Sequence, residues 1–201
     1  MKIHLAILLA LAITFPLVAQ EQKPAASKEP KTKIEVFEAK AGATIIRGFS
    51  TIGGIGPQYP GNEFEKSAWV EIRELIDASS GKSEYGIYIT IKNGSERESS
   101  SYIDYDEIDS LIKGIDYVAK IEKSITKLDT FQADYTTRGD FIVSSFNDSN
   151  GNKLASLRSG YFASVSDNPL TMDQLAQFKL LIQQAKAKLD SIQPPDHETK
   201  P

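Results

Sequence analysis

The chain has 201 residues, of which 40% are hydrophobic and 25% charged. That is enough for one ordinary globular domain with a sizeable core, and it argues against a repeat array or a disorder-dominated chain. The formal charge of −4, one unit more negative without Lys2, gives non-specific attraction to nucleic acid or anionic membrane no support.

Met1-Lys2 is a short positive segment and Ile3 to Leu17 an almost unbroken apolar run, with the small residue Ala19 before Gln20. This pattern predicts a secretory signal peptide over residues 1–19, because the run falls short of the ~20 residues a spanning helix needs. The mature protein is expected to be periplasmic or secreted, and soluble. The chain contains no Cys, so a lipidated cysteine and any disulfide framework are excluded. Residues 20–33 mix Lys, Glu, Pro and Ala without an apolar period, as a solvated tether does, and the tail 193–201 follows Pro194-Pro195 in the same manner.

Between them, residues 34–192 are predicted to form a single α+β domain of two repeats, 34–125 and 126–192. Ile34 to Ala39 and Ala43 to Phe49 are β-prone runs around Lys40-Ala41-Gly42, expected as a hairpin whose first arm is an extra N-terminal strand. Gly53 to Gly61 is expected to be a long loop with Tyr59 at its tip. It lacks the Gly-Lys-Ser/Thr and following helix of a phosphate loop. Ala68 to Ile76 and Tyr85 to Lys92 are the clearest strands. In the second, Tyr85, Ile87, Ile89 and Ile91 alternate with Gly86, Tyr88, Thr90 and Lys92, so one face meets a core and the other meets water.

Asn93-Gly94 signals a hairpin returning along Glu96 to Tyr102. Asp104 and Glu107 then have the spacing of a capping box for a helix whose stripe is Ile108, Leu111, Ile112, Ile115, Val118 and Ala119. The second unit runs Phe131 to Thr137, a turn at Arg138-Gly139-Asp140, Phe141 to Phe146, a turn at Asn150-Gly151, Leu154 to Arg158 and Phe162 to Val165. Thr171 and Gln174 open its helix with a second capping box. Each unit is thus four strands and a helix, with antiparallel sheets each backed by one long helix.

In order of elements, over roughly residues 43 to 192, this twice-repeated ββββα arrangement resembles the Whirly and transcriptional-coactivator superfamily of single-strand DNA-binding folds. The resemblance implies a nucleic-acid-binding scaffold. The chain departs from that superfamily in its export signal and its acidic balance, so nucleic acid ranks second among its expected ligands.

His4 and His197 are the only histidines and lie in the leader and the tail. The middle of the chain therefore lacks the common general base and the usual transition-metal ligands, and no catalytic residue, metal ligand or cofactor is predicted. Asp104, Asp106, Glu107 and Asp109 lack the mid-loop Gly and distant Glu of a calcium loop and suit a helix start. Asp148, Asn150 and Asn152 suit a polar hairpin. Trp69, Tyr85, Tyr88, Tyr135, Phe141 and Phe146, with Arg73, Arg97, Arg138 and Arg158, would make a stacking platform if they shared a face. Tyr59, Tyr88, Lys92 and Arg138 are the candidate ligand contacts.

The leading expectation is an exported, non-catalytic domain that binds a protein, peptide or small ligand, through the sheet face opposite the helices or the glycine-rich loop. The alternatives are a single-strand nucleic-acid or polyanion binder and a carboxylate-dependent hydrolase.

Overall fold

Alternating branched aliphatic and polar residues build a four-stranded antiparallel sheet in simple order: β1 (Ile45–Ile55), β2 (Ser67–Asp77), β3 (Ser83–Asn93) and β4 (Arg97–Asp104). Val70 pairs with Ile89, and Ile72 with Ile87, which in turn pairs with Ile103, so one face of the sheet is a continuous buried aliphatic surface. A second antiparallel sheet contains β5 (Gln132–Thr136), β6 (Phe141–Asn147) and β7 (Lys153–Ser159), with a bridge from Ala155 to Leu170. The protein is therefore α+β with two antiparallel sheets. The computed structural model describes residues 29–56, 67–93, 97–160 and 169–192. The expected leader, Tyr59, Gly94, the strand expected at Phe162 to Val165 and the tail lie outside them.

Two amphipathic helices complete the core, α2 (Ile108–Lys120) and α3 (Met172–Ile192). Contrary to expectation, each backs chiefly the sheet that it does not follow. Gly114 of α2 sits against the Tyr135 ring, and the Ser145 hydroxyl donates to the Val118 carbonyl at 2.6 Å. The long α3 lies over β1, β2 and β3, with Leu181 filling the space above Gly53 and Lys188 reaching Ser50 at 2.6 Å. Both sheets and both helices consequently share one core, in which Phe141 and Phe178 meet at 5.8 Å. A buried hydroxyl pair, Ser101 and Ser159 at 2.7 Å, ties β4 to β7. Thr171 and Gln174 form the expected capping box at the start of α3.

Residues Ile34 to Ala39 are not a strand. They form most of a short helix, α1 (Lys33–Glu38), which Thr32 and Glu35 open with a reciprocal capping box. Here the cap and tertiary burial override the β propensity of Ile34, Val36 and Phe37. Ile34 is fully buried above Gly86, where an added Cβ would stand 2.4 Å from its Cδ1. Gly53 to Ile55 also differ from expectation, since they end β1 instead of opening a loop. A register shift between Thr51 and Gly53 marks an irregularity in β1 there. Among the described residues no helix is long and apolar enough to cross a membrane.

Candidate binding face

The outer face of the first sheet, opposite α3, carries a row of rings and charges that the strand register assembles. Phe49 of β1 pairs with Arg73 of β2, and Tyr88 of β3 pairs with Tyr102 of β4. The Arg73 guanidinium stands 4.4 Å from the Tyr88 ring centre and 5.3 Å from that of Phe49. Tyr88 and Tyr102 are 4.8 Å apart. Arg73 Nε is buried without a hydrogen-bond partner, so the π faces on either side take up part of its charge. Further along β2, the Trp69 indole lies across Gly54, where a Cβ would come within 2.9 Å of the ring. Phe49 remains 69% exposed and Trp69 44% exposed.

The charges on this face are matched in place. Arg73 pairs with Glu71 at 2.7 Å, Lys92 with Glu98 at 3.7 Å, and Arg47 with Glu38 at 2.7 Å. Glu71 also accepts from Thr51 at 3.4 Å, and Tyr88 donates to Ser100 at 2.7 Å. Burial, reinforced by the nearby Glu38 carboxylate, raises the Tyr102 phenol above its ordinary range. It therefore stays protonated and donates to Glu38 at 3.1 Å.

The short helix α1 covers one end of the same face, and a constellation around Arg138 holds it down. Asp104 does not cap the helix that follows it, and neither does Glu107. Instead the Asp104 carboxylate accepts the backbone N–H groups of Lys33 and Ile34 at 2.9 and 3.1 Å, which caps α1 from the end of β4. Arg138, on the turn between β5 and β6, lies 3.3 Å from Asp104, 2.7 Å from Asp106 and 3.5 Å from Glu107. Its own backbone N–H donates to Glu107 at 2.8 Å. Partial burial opposes ionisation of Asp106, but Arg138 and Lys33 together hold its carboxyl below the usual range.

A cavity of about 370 Å³ lies beside α1, lined by Lys31, Lys33, Phe37, Glu84 and Arg138 among others. Its cations are already engaged, Lys31 with Asp140 at 2.8 Å and Lys33 with Asp106 at 3.1 Å. Among the described residues no group of three acidic or histidine side chains is arranged to hold a metal. Asp148 accepts from Asn150 and Asn152 at 2.9 and 2.8 Å, the local bonding of a polar hairpin turn.

Of the expected ligand contacts, Tyr88 and Lys92 lie on the outer face as their alternation predicts. Tyr59 lies outside the described residues. Arg138 belongs to the ion cluster beside α1 and not to the aromatic row. The expected platform separates in the same way: Trp69, Tyr88 and Arg73 share the outer face, whereas Phe141 is buried and Tyr85 and Tyr135 pack against the core. Phe49 was not among the expected contacts. Its strand gives no clear parity, because Ser50 and Gly53 occupy the inner positions opposite Ile72 and Val70 of β2. Trp69 was legible as an aromatic at the polar parity of β2, between Ala68 and Val70. No protein-family model, curated protein or solved structure matches this chain.

Proposed function

We propose that the chain is an exported, non-catalytic binding domain that takes its ligand on the outer face of the first sheet. The observation that carries this reading is the pair of large rings, Phe49 and Trp69, exposed by 69% and 44% on the sheet face that also holds Arg73 and Tyr88. Rings presented this way offer contact area at low conformational cost, and their exposure has no role in the core. The apolar leader supports export. The buried acids that converge, Asp104 and Glu107, have Arg138 between them, and Asp104 also caps α1. This commitment speaks against a carboxylate-dependent hydrolase. The order β1 to β4 then α2, followed by β5 to β7 then α3, supports two units of one plan.

Hydroxyl-radical footprinting of the mature protein, with and without the soluble extract of the compartment it is exported to, tests the site. Phe49, Trp69 and Tyr88 are expected to lose reactivity together. Protection confined to the α2 and α3 surface around Tyr117 and Leu180 would place the binding site elsewhere.

A further inference from the structure

We infer that the outer face binds a neutral oligosaccharide, an inference that rests on this face being the binding site. Charge is the first ground. Arg47, Arg73 and Lys92 are each matched by a carboxylate, Glu38, Glu71 and Glu98 respectively. Along the aromatic row each of these cations is therefore already neutralised by an anion, which leaves little to attract a charged ligand. A phosphate reaching Arg73 would have to displace Glu71 and separate the guanidinium from two rings.

The second ground is the alternation of stacking surface with short hydroxyl-scale groups. Between and beside the rings stand the Thr51 hydroxyl, the Glu71 carboxylate and the Tyr88 and Ser100 hydroxyls, already held by one another at 3.4 and 2.7 Å. These two bonds leave the Ser100 hydroxyl hydrogen and further oxygen lone pairs to water, and a purely apolar ligand would cover them without satisfying them, at a desolvation cost. A pyranose has an apolar C–H face for the rings and a hydroxyl rim for the polar groups between them. Spacing is the third ground. Trp69 and Arg73 lie four residues apart on β2, which is ~13 Å at the rise of a strand. A ligand touching both Trp69 and the Phe49–Arg73 stack is a chain of sugars, not a single one.

Trp69 is the only tryptophan in the sequence, so intrinsic fluorescence reports directly on this face. The mature full-length protein is titrated with cellohexaose, chitohexaose, xylohexaose and maltohexaose, and separately with polygalacturonate, a single-stranded oligonucleotide and a proline-rich peptide. A saturable emission shift with at least one neutral hexaose, insensitive to salt, is expected. Phe49→Ala, at an exposed position that leaves the core intact, should weaken that binding ~10-fold or more while Trp69 still reports. A response to none of the neutral sugars, or only to the oligonucleotide, polygalacturonate or peptide, overturns the inference. If the sugars fail while footprinting still protects Phe49, Trp69 and Tyr88, the binding face stands and only its ligand class falls. If that face is neither protected nor responsive, both readings fall.

Discussion

The Asp104 carboxylate accepts the backbone N–H of Ile34 at 3.1 Å across 70 residues of sequence, and so satisfies a donor in the first turn of α1 that the Thr32–Glu35 box leaves over. Through this bond and its partner at Lys33, β4 positions α1 against the outer face of the sheet. Asp104→Ala removes both bonds and one carboxylate from Arg138, and is expected to cost about 0.5–2 kcal/mol, the range for loss of a helix cap. Amide hydrogen exchange should quicken in Ile34 to Glu38, and the unfolding midpoint should be the same with calcium as with chelator. A midpoint that rises with calcium in the wild type but not in the variant would mark a metal site instead.

Gly86 is the floor on which Ile34 rests. A Cβ there would stand 2.3 Å from the Ile103 carbonyl oxygen and 2.4 Å from Ile34 Cδ1. The carbonyl belongs to the paired backbone of β4 and has little room to move. Gly86→Ala is expected to destabilise by about 1–3 kcal/mol, as overpacking does. Urea denaturation measures this, and a variant of unchanged stability would show that α1 is only loosely seated.

Acid should unfold the protein partly through Asp77. Its fully buried carboxylate is held well below the usual carboxylate range, foremost by Lys40 and then by the Ser79 hydroxyl and backbone N–H. A group whose folded-state pKa is depressed stabilises the fold above its unfolded value of ~4 and loses that contribution as pH falls below it. Asp77→Asn should therefore be less stable than wild type at neutral pH, with the difference shrinking below pH ~4. Thermal unfolding across that range measures the gap, and a gap that does not narrow would remove Asp77 from the acid transition.

Single-stranded DNA should not bind at physiological salt. Sequence-independent affinity for a polyanion comes from counterion release at available cations, and Arg73 and Lys92 on the aromatic face already have carboxylate partners. Fluorescence anisotropy with labelled oligonucleotides over a salt series checks this. Micromolar binding that weakens steeply with salt and disappears in Tyr88→Ala with Lys92→Ala would favour a nucleic-acid role.

What the amino-acid order determined by itself was whatever depends on local period. The alternation of β2 and β3 placed both strands nearly to their ends and turned Tyr88 and Lys92 outward, since a strand's faces follow from counting by two. The stripes of α2 and α3 and the Thr171–Gln174 box were equally local. Only the tertiary structure decided how identical local signals were used. Asp104 and Glu107 have the same spacing as Thr32 and Glu35, yet the second pair closes a box and the first turns to Lys33, Ile34 and Arg138. A carboxylate goes to whichever unsatisfied N–H the fold brings nearest, and that distance is not written in the spacing. The candidate face depended on the same long-range information. Phe49 meets Arg73 because β1 pairs with β2 in one register, and Trp69 lies over Gly54 because that register shifts between Thr51 and Gly53. The exchange of α2 and α3 between the sheets was likewise a choice among ways of burying the same apolar stripes, and shared burial in one core decided it.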